Sequence, residues 1–354
     1  MIIPGIIILL TIYFGKSFLK YALDYNQTHE LKRIGKLRKR INTKEEELPV
    51  SKLESINDEN LLGIIYTIES CFNKKDLNNF HRNIKNLKLI NLNVTENECT
   101  LYSPEEVYLA GAYLPFSNKM ITYNGKATSH EMLHVSSTNN SKRFAHLSVG
   151  FQQVNRIKPH IGEGLNEGYT THLNRRLFEC VNGPVVIQSI YIMEPIVAKA
   201  IEDVIGSEKM QSLYLNADLK GLYDSLSTYL TEKETDELVI GLDNINKYTS
   251  KTNPKNEDFD VLIKSSSKIA LLINKILIQK MQENNYDQKS IYNYFTNMNN
   301  FKEGLFYLGE DKYDDIINFI DEQEDIIFEF VNGKSINTTK EKVKKLKNYH
   351  VERE

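Results

Sequence analysis

Apolar residues recur at helical spacing over most of the chain, and they run together or alternate only in short stretches of its first half. This spacing predicts helices over 60–72 and 77–87, then a short strand in "LKLINLNV" (87–94). Between 107 and 123, "VYLAGAYLPFSNKMITY" is rich in Tyr, Leu, Ile and Val and broken at Pro115, Ser117 and Asn118. It reads as two extended segments joined by a turn, the first an edge strand because of its Gly and Pro. A turn and helix start in "NGKATS" lead into "ATSHEMLHVSS" (127–137). Helical spacing returns with Leu165, Tyr169, His172, Leu173 and Leu177, after the glycines at 162 and 164. Further on, "VVIQSIYIMEPIVAKAIEDVIGSEKMQSLYL" and "ADLKGLYDSLSTYL" predict helices with stops at Gly206 and Asn216. Polar breaks at "TEKETDEL" and "YTSKTNPKNEDFD" precede helices over 261–282, 288–301 and 313–332, which read as packing helices with charged outer faces. From Lys334 the tail is charged.

The first fifteen residues, "MIIPGIIILLTIYFG", carry no charge, and the apolar run resumes around Lys16 and Lys20. Taken to Leu23, the segment is long enough to span a bilayer with both lysines snorkelling to one interface. It lacks the basic start and small-residue cleavage site of a secretory signal, so an uncleaved anchor over 1–23 is expected. The alternatives are a buried apolar helix and a solvated basic linker. Six Lys or Arg in "LKRIGKLRKR" place the remainder in the cytoplasm under the positive-inside rule, giving a single-pass membrane protein whose basic cluster can touch anionic lipid. The polar stretch from Thr43, with Pro49, reads as a connector, so a linker is expected over 24–55 and a folded domain from 56.

With 354 residues and 41% apolar content, the chain can bury one large core or two modest ones. A net charge of −3 with evenly spread Lys and Glu leaves no global footprint for nucleic acid. Cys71, Cys99 and Cys180 are odd in number and lack CxxC spacing, which excludes a disulfide framework and fits a reducing compartment.

The chemistry centres on "HEMLH". Histidines four apart share one helix face, so His130 and His134 can reach one metal ion, with Glu131 beside them to take a proton from water. A structural reading competes: Thr128 and Glu131 also form a T-x-x-E capping box. The metzincin extension is absent, since Ser137 and Asn140 stand where Gly and His are required. Serine-hydrolase, P-loop and dinucleotide-binding signatures are missing too. A glutamate on a later helix is the other route to a third ligand, and "IGEGLNEGYTTHLNRRLF" supplies Glu167 within N-E-G-Y-T.

Here the chain resembles the gluzincin class of zinc metallopeptidases, which includes thermolysin-like enzymes and the HExxH aminopeptidases. In that class the third ligand sits in an N-E-x-x-S or N-E-x-x-T stretch, matched here by Asn166, Glu167 and Thr170. The resemblance covers 107–178. It implies His130, His134 and Glu167 as zinc ligands, Glu131 as general base, and the extended segments before His130 as a sheet edge that aligns substrate. Two departures stand out. The gap from His134 to Glu167 holds an insertion whose "HLSVGFQQV" middle reads as a loop or small hairpin, and Thr171 replaces the aspartate that supports a zinc histidine in thermolysin-like enzymes. Glu163 is a rival third ligand. His146, His160 and His172, or Tyr169 and Tyr191, are candidates for stabilising an oxyanion, but surface or half-buried placement is the commoner explanation for each histidine and packing for each tyrosine.

The expected whole is an α+β, zincin-like metallopeptidase domain over 56–235, with a small mixed sheet and an active-site helix, followed by a mainly helical extension over 236–354. Its expected activity is zinc-dependent hydrolysis of a peptide or protein substrate. The alternatives are a non-peptidolytic zinc-binding protein and a membrane-associated interaction protein.

Overall fold

A computed structural model describes residues 46–49, 59–92, 111–123, 128–139, 147–154, 161–179, 191–249, 256–309 and 313–331. Among them the fold is α+β, mostly helical with a small mixed sheet. Four strands pair in the order β1-β2-β4-β3: β1 (Glu46–Pro49), β2 (Lys88–Leu92), β3 (Gly111–Leu114) and β4 (Lys119–Tyr123). Strands β2 and β4 run parallel, and β1 and β3 flank them antiparallel. The polar stretch around Pro49, read as a connector, thus contributes an edge strand, where a residue without an N–H is tolerated. Strand β3 forms the opposite edge, as its glycine and the following proline suggest.

Helix α1 (Glu59–Cys71) turns Leu61, Ile64, Ile65 and Ile68 into the core, and α2 (Asn78–Ile84) does the same with Phe80 and Ile84. Asparagines then tie these elements to α3 (Thr128–Ser137), the helix of "HEMLH". Asn83 donates from Nδ2 to the carbonyls of Val135 (2.9 Å), in the last turn of α3 where carbonyls lack helical partners, and of Thr138 (2.7 Å), just beyond it. Asn118, in the β3–β4 turn, donates to the Asn83 carbonyl at 2.7 Å and accepts the Tyr113 hydroxyl at 2.8 Å. The turn between the extended segments therefore braces the end of the motif helix.

A second, three-stranded antiparallel sheet lies between His134 and Glu167 in the chain: β5 (Thr138–Asn139), β6 (Leu147–Val149) and β7 (Gln152–Val154). The hairpin foreseen in "HLSVGFQQV" is β6–β7. Next comes α4 (Glu163–Asn174), which continues into a wider turn over Arg175–Glu179, and then α5 (Met193–Ile205), α6 (Ser207–Leu215) and α7 (Leu219–Leu226). The remainder is α8 (Glu232–Thr249), α9 (Asn256–Glu283), α10 (Gln288–Gly309) and α11 (Asp314–Val331). One buried apolar cluster runs from Leu61 through Leu133, Leu165, Ile201 and Leu242 to Ile327.

Helix α8 occupies the segment that begins with the supposed polar break "TEKETDEL". Thr231 and Glu234 close a reciprocal cap there: the Thr231 N–H donates to Glu234 Oε2 at 2.8 Å and the Glu234 N–H to Thr231 Oγ1 at 3.3 Å. Leu238, Val239, Leu242 and Ile245 form its buried stripe. Helix α4 packs against both α5 and α8. Close approach explains two of its glycines. A side-chain carbon at Gly164 would meet the Leu242 carbonyl of α8, and one at Gly168 would meet the Glu194 carbonyl of α5.

The membrane reading is corrected. No helix among the described residues is long and apolar enough to cross a bilayer. Even α9, spanning 28 residues, interleaves Lys264, Lys268 and Lys275 with its apolar face and buries that face against other helices. Residues 1–23, on which the anchor and the single-pass localisation rested, lie outside the described residues.

Candidate metal centre

The four-residue spacing within α3 turns both imidazoles to one side, with their Nε2 atoms 3.1 Å apart. Glu167 reaches them from α4: Oε2 lies 3.2 Å from His130 Nε2, and Oε1 lies 3.3 Å from His134 Nε2. Among the described residues these three form the group able to hold a metal ion. Their spacing allows a direct test of fit. Bonds of about 2.0–2.1 Å to a tetrahedral ion put neighbouring donors about 3.3–3.4 Å apart, close to the observed separations. Three lone-pair donors this close repel one another unless a cation or shared protons lie between them. The residues fit a metal.

The two glutamates differ in their electrostatics. Burial pushes the Glu167 carboxyl up, but the charges of His134 and His130 and their hydrogen bonds outweigh it and hold the group below the usual carboxylate range. Glu131 behaves oppositely. Burial raises its carboxyl to about 7, with Glu167 adding to the rise, while His130 and the Tyr113 N–H of β3 restrain it. The edge strand therefore touches the candidate base directly. His134 is nearly closed off, at 7% side-chain exposure, whereas His130 and Glu167 keep 17% and 16% and leave the site an opening.

No family model, curated protein or solved structure matches this chain.

Of the remaining candidates, Glu163 is exposed at the start of α4 and stands outside the cluster. His172 lies 3.6 Å from Glu202 of α5, in a network with Arg176. Tyr169 is wholly buried, its ring against Phe151 and Tyr214. Tyr191 is the tyrosine that reaches the site: its ring stacks near-parallel on His130, centroids 6.3 Å apart. Burial and the carboxylates of Glu167, Glu131, Glu194 and Glu163 push its hydroxyl well above the ordinary range, so it stays protonated. His146 and His160 lie outside the described residues.

Sequence reasoning left the surroundings of the histidines unassigned, and the structure brings Asn166 against His134. Asn166, fully buried next to Glu167, sets its amide nitrogen 3.3 Å from His134 Nδ1, and its Oδ1 accepts the Phe151 N–H at 3.2 Å. The asparagine of N-E-G-Y-T thus links the histidine to the β6–β7 turn. Only the resemblance marked it, and as part of a pattern without a role. Glu194 also escaped notice: it is wholly buried at the start of α5, and burial, with Glu167 adding, raises its carboxyl to about 8. Glu167 and Gly168 of α4 lie against it, far outside any local window, so no local pattern announces it.

Proposed function

We propose that this chain is a zinc-dependent metallopeptidase of the gluzincin kind, with a zincin-like catalytic core. The observation that carries the reading is the convergence of His130, His134 and Glu167 at tetrahedral donor spacing, with Glu131 on the same helix. A set of two imidazoles and one carboxylate suits zinc and leaves a coordination position open. When bound, zinc supplies Lewis acidity that acidifies water and polarises a carbonyl.

The rest is the work of the chain's own groups. Glu131, with a carboxyl near neutrality and restrained by the Tyr113 N–H, is suited to accept a proton from water and return it to the leaving amine. Tyr191, held protonated beside His130, offers a neutral donor to negative charge developing on the substrate oxygen. Edge strand β3, whose Tyr113 touches the base, gives an extended peptide a strand to pair with, which places its scissile bond near Glu131.

The test combines zinc content by elemental mass spectrometry with hydrolysis of a peptide library by the full chain and two variants. The parent is expected to carry about one zinc and to cleave peptides. Glu167→Ala loses the metal, and Glu131→Gln keeps it while cleavage falls about 10²–10⁴-fold. Zinc retention without cleavage in the parent would favour a non-peptidolytic metal protein, and a folded, metal-free parent would return "HEMLH" to a capped helix.

A further inference from the structure

The third ligand depends on a helix whose first turn has no cap of its own. Helix α4 follows Gly162, which lies in the left-handed region (φ 83°) and brings no side chain to the unpaired amides that open a helix. A residue 76 positions beyond Glu167 takes that place. Asp243 of α8 accepts the Gly162 N–H on Oδ2 at 2.9 Å and the Gly164 N–H on Oδ1 at 2.8 Å, and the Glu163 N–H bonds to the same carboxylate. The two glycines make this approach possible. A side-chain carbon at Gly162 would strike the Phe151 carbonyl of the β6–β7 turn, and one at Gly164 would strike the Leu242 carbonyl and lie 2.9 Å from the Asp243 nitrogen. The start of α4 is thus gripped by α8 on one side and the hairpin on the other. Its first helical hydrogen bond, from the Asn166 N–H to the Gly162 carbonyl at 2.9 Å, is built on a residue that Asp243 holds, and Glu167 is the next residue along.

We infer that Asp243 is a positioning residue for the metal centre: by capping α4 from α8 it sets the helix at the depth where the Glu167 carboxylate meets His130 and His134. The inference rests on the metal reading proposed above. Metal–ligand distances tolerate only about 0.2 Å, whereas a helix start freed of its cap shifts or frays by more than that. The carboxylate provides two oxygens for three amides. An amide in its place keeps one acceptor and turns an N–H₂ toward the other donors, so Asp243→Asn is a graded perturbation and Asp243→Ala a complete one.

The experiment measures zinc affinity of the full chain by competition with a chromophoric chelator, and records the visible spectrum of the cobalt-substituted protein. The parent is compared with Asp243→Ala, Asp243→Asn and Ile240→Ala, the last an exposed position on the same helix. Expected are a loss of about 10–100-fold in affinity with an altered cobalt spectrum for Asp243→Ala, an intermediate loss for Asp243→Asn, and parent behaviour for Ile240→Ala. If Asp243→Ala does not fold, the Asp243→Asn affinity and spectrum decide. Parent affinity and an unchanged spectrum in the folded Asp243 variants would overturn the inference and leave the metal reading standing. A parent that binds no zinc would overturn the metal reading, and this inference with it.

Discussion

Gly168 follows Glu167, and its substitution by alanine separates two opposing effects. In the middle of a helix, alanine is better than glycine by about 1 kcal/mol, so propensity alone predicts stabilisation. Packing predicts the reverse. A new Cβ would lie 2.8 Å from Glu194 Cβ and closer still to the Glu194 carbonyl, whereas ordinary contact begins at 3.4 Å. The deficit is about 0.6 Å at Glu194 Cβ and larger at the Glu194 carbonyl, which is backbone of α5 and cannot rotate aside as a flexible side chain would. Overpacking of this kind costs about 1–3 kcal/mol, so the clash offsets or exceeds the propensity gain. Relieving even the smaller deficit shifts Glu167 relative to the histidines by about three times the 0.2 Å within which metal–ligand distances are held. Gly63, in the interior of α1 with nothing within 4 Å of its would-be Cβ, is the control: there Gly63→Ala should gain about 0.5–1 kcal/mol. Urea denaturation and zinc competition on both variants supply the assay. Gly168→Ala is expected to be less stable than Gly63→Ala by about 1–3 kcal/mol and to bind zinc at least about tenfold more weakly. Equal stability and equal affinity in the two variants would refute the reasoning.

Two further outcomes follow from the surroundings of α4. Asn166→Ala leaves the buried Phe151 N–H without its acceptor, so thermal melting should show a loss of about 1–3 kcal/mol. Burial opposes ionisation of Glu202, but the hydrogen bond and charge of His172 and the charge of Arg176 override it, lowering its carboxyl from 4.5 to about 2. A depressed acid stabilises the fold above its unfolded value and loses that contribution as pH falls through the folded one, so the advantage of the parent over Glu202→Gln, about 3 kcal/mol in order of magnitude, should be full above pH 4.5 and vanish toward pH 2 in denaturation curves.

Which of these features the sequence discloses depends on how far apart their causes lie. Helix periodicity is local, so the helices around Leu61, Ile201 and Ile273 are legible from spacing alone. The two histidines are legible for the same reason, since one turn of α3 fixes their relation. Helix α8 illustrates the opposite case: its exposed face is so acidic that "TEKETDEL" reads as a break, although Thr231 and Glu234 are spaced as a capping box and Leu238, Val239, Leu242 and Ile245 keep the helical period. Strand β1 is hidden because only its pairing with β2, far along the chain, makes a polar segment extended. At the site, Glu167 is chosen over Glu163 in the sequence by resemblance and in the structure by reach. Their separation of four positions is about one helical turn, so both face the same way, and what decides is which turn of α4 lies opposite α3. That depth is set by Asp243, Gly164 and Gly168 against helices α8 and α5, contacts that no window around "HEMLH" or "NEGYT" contains. A candidate metal site spread over two helices is therefore readable as a list of donors from sequence, while its geometry belongs to the residues that hold the helices at their distance.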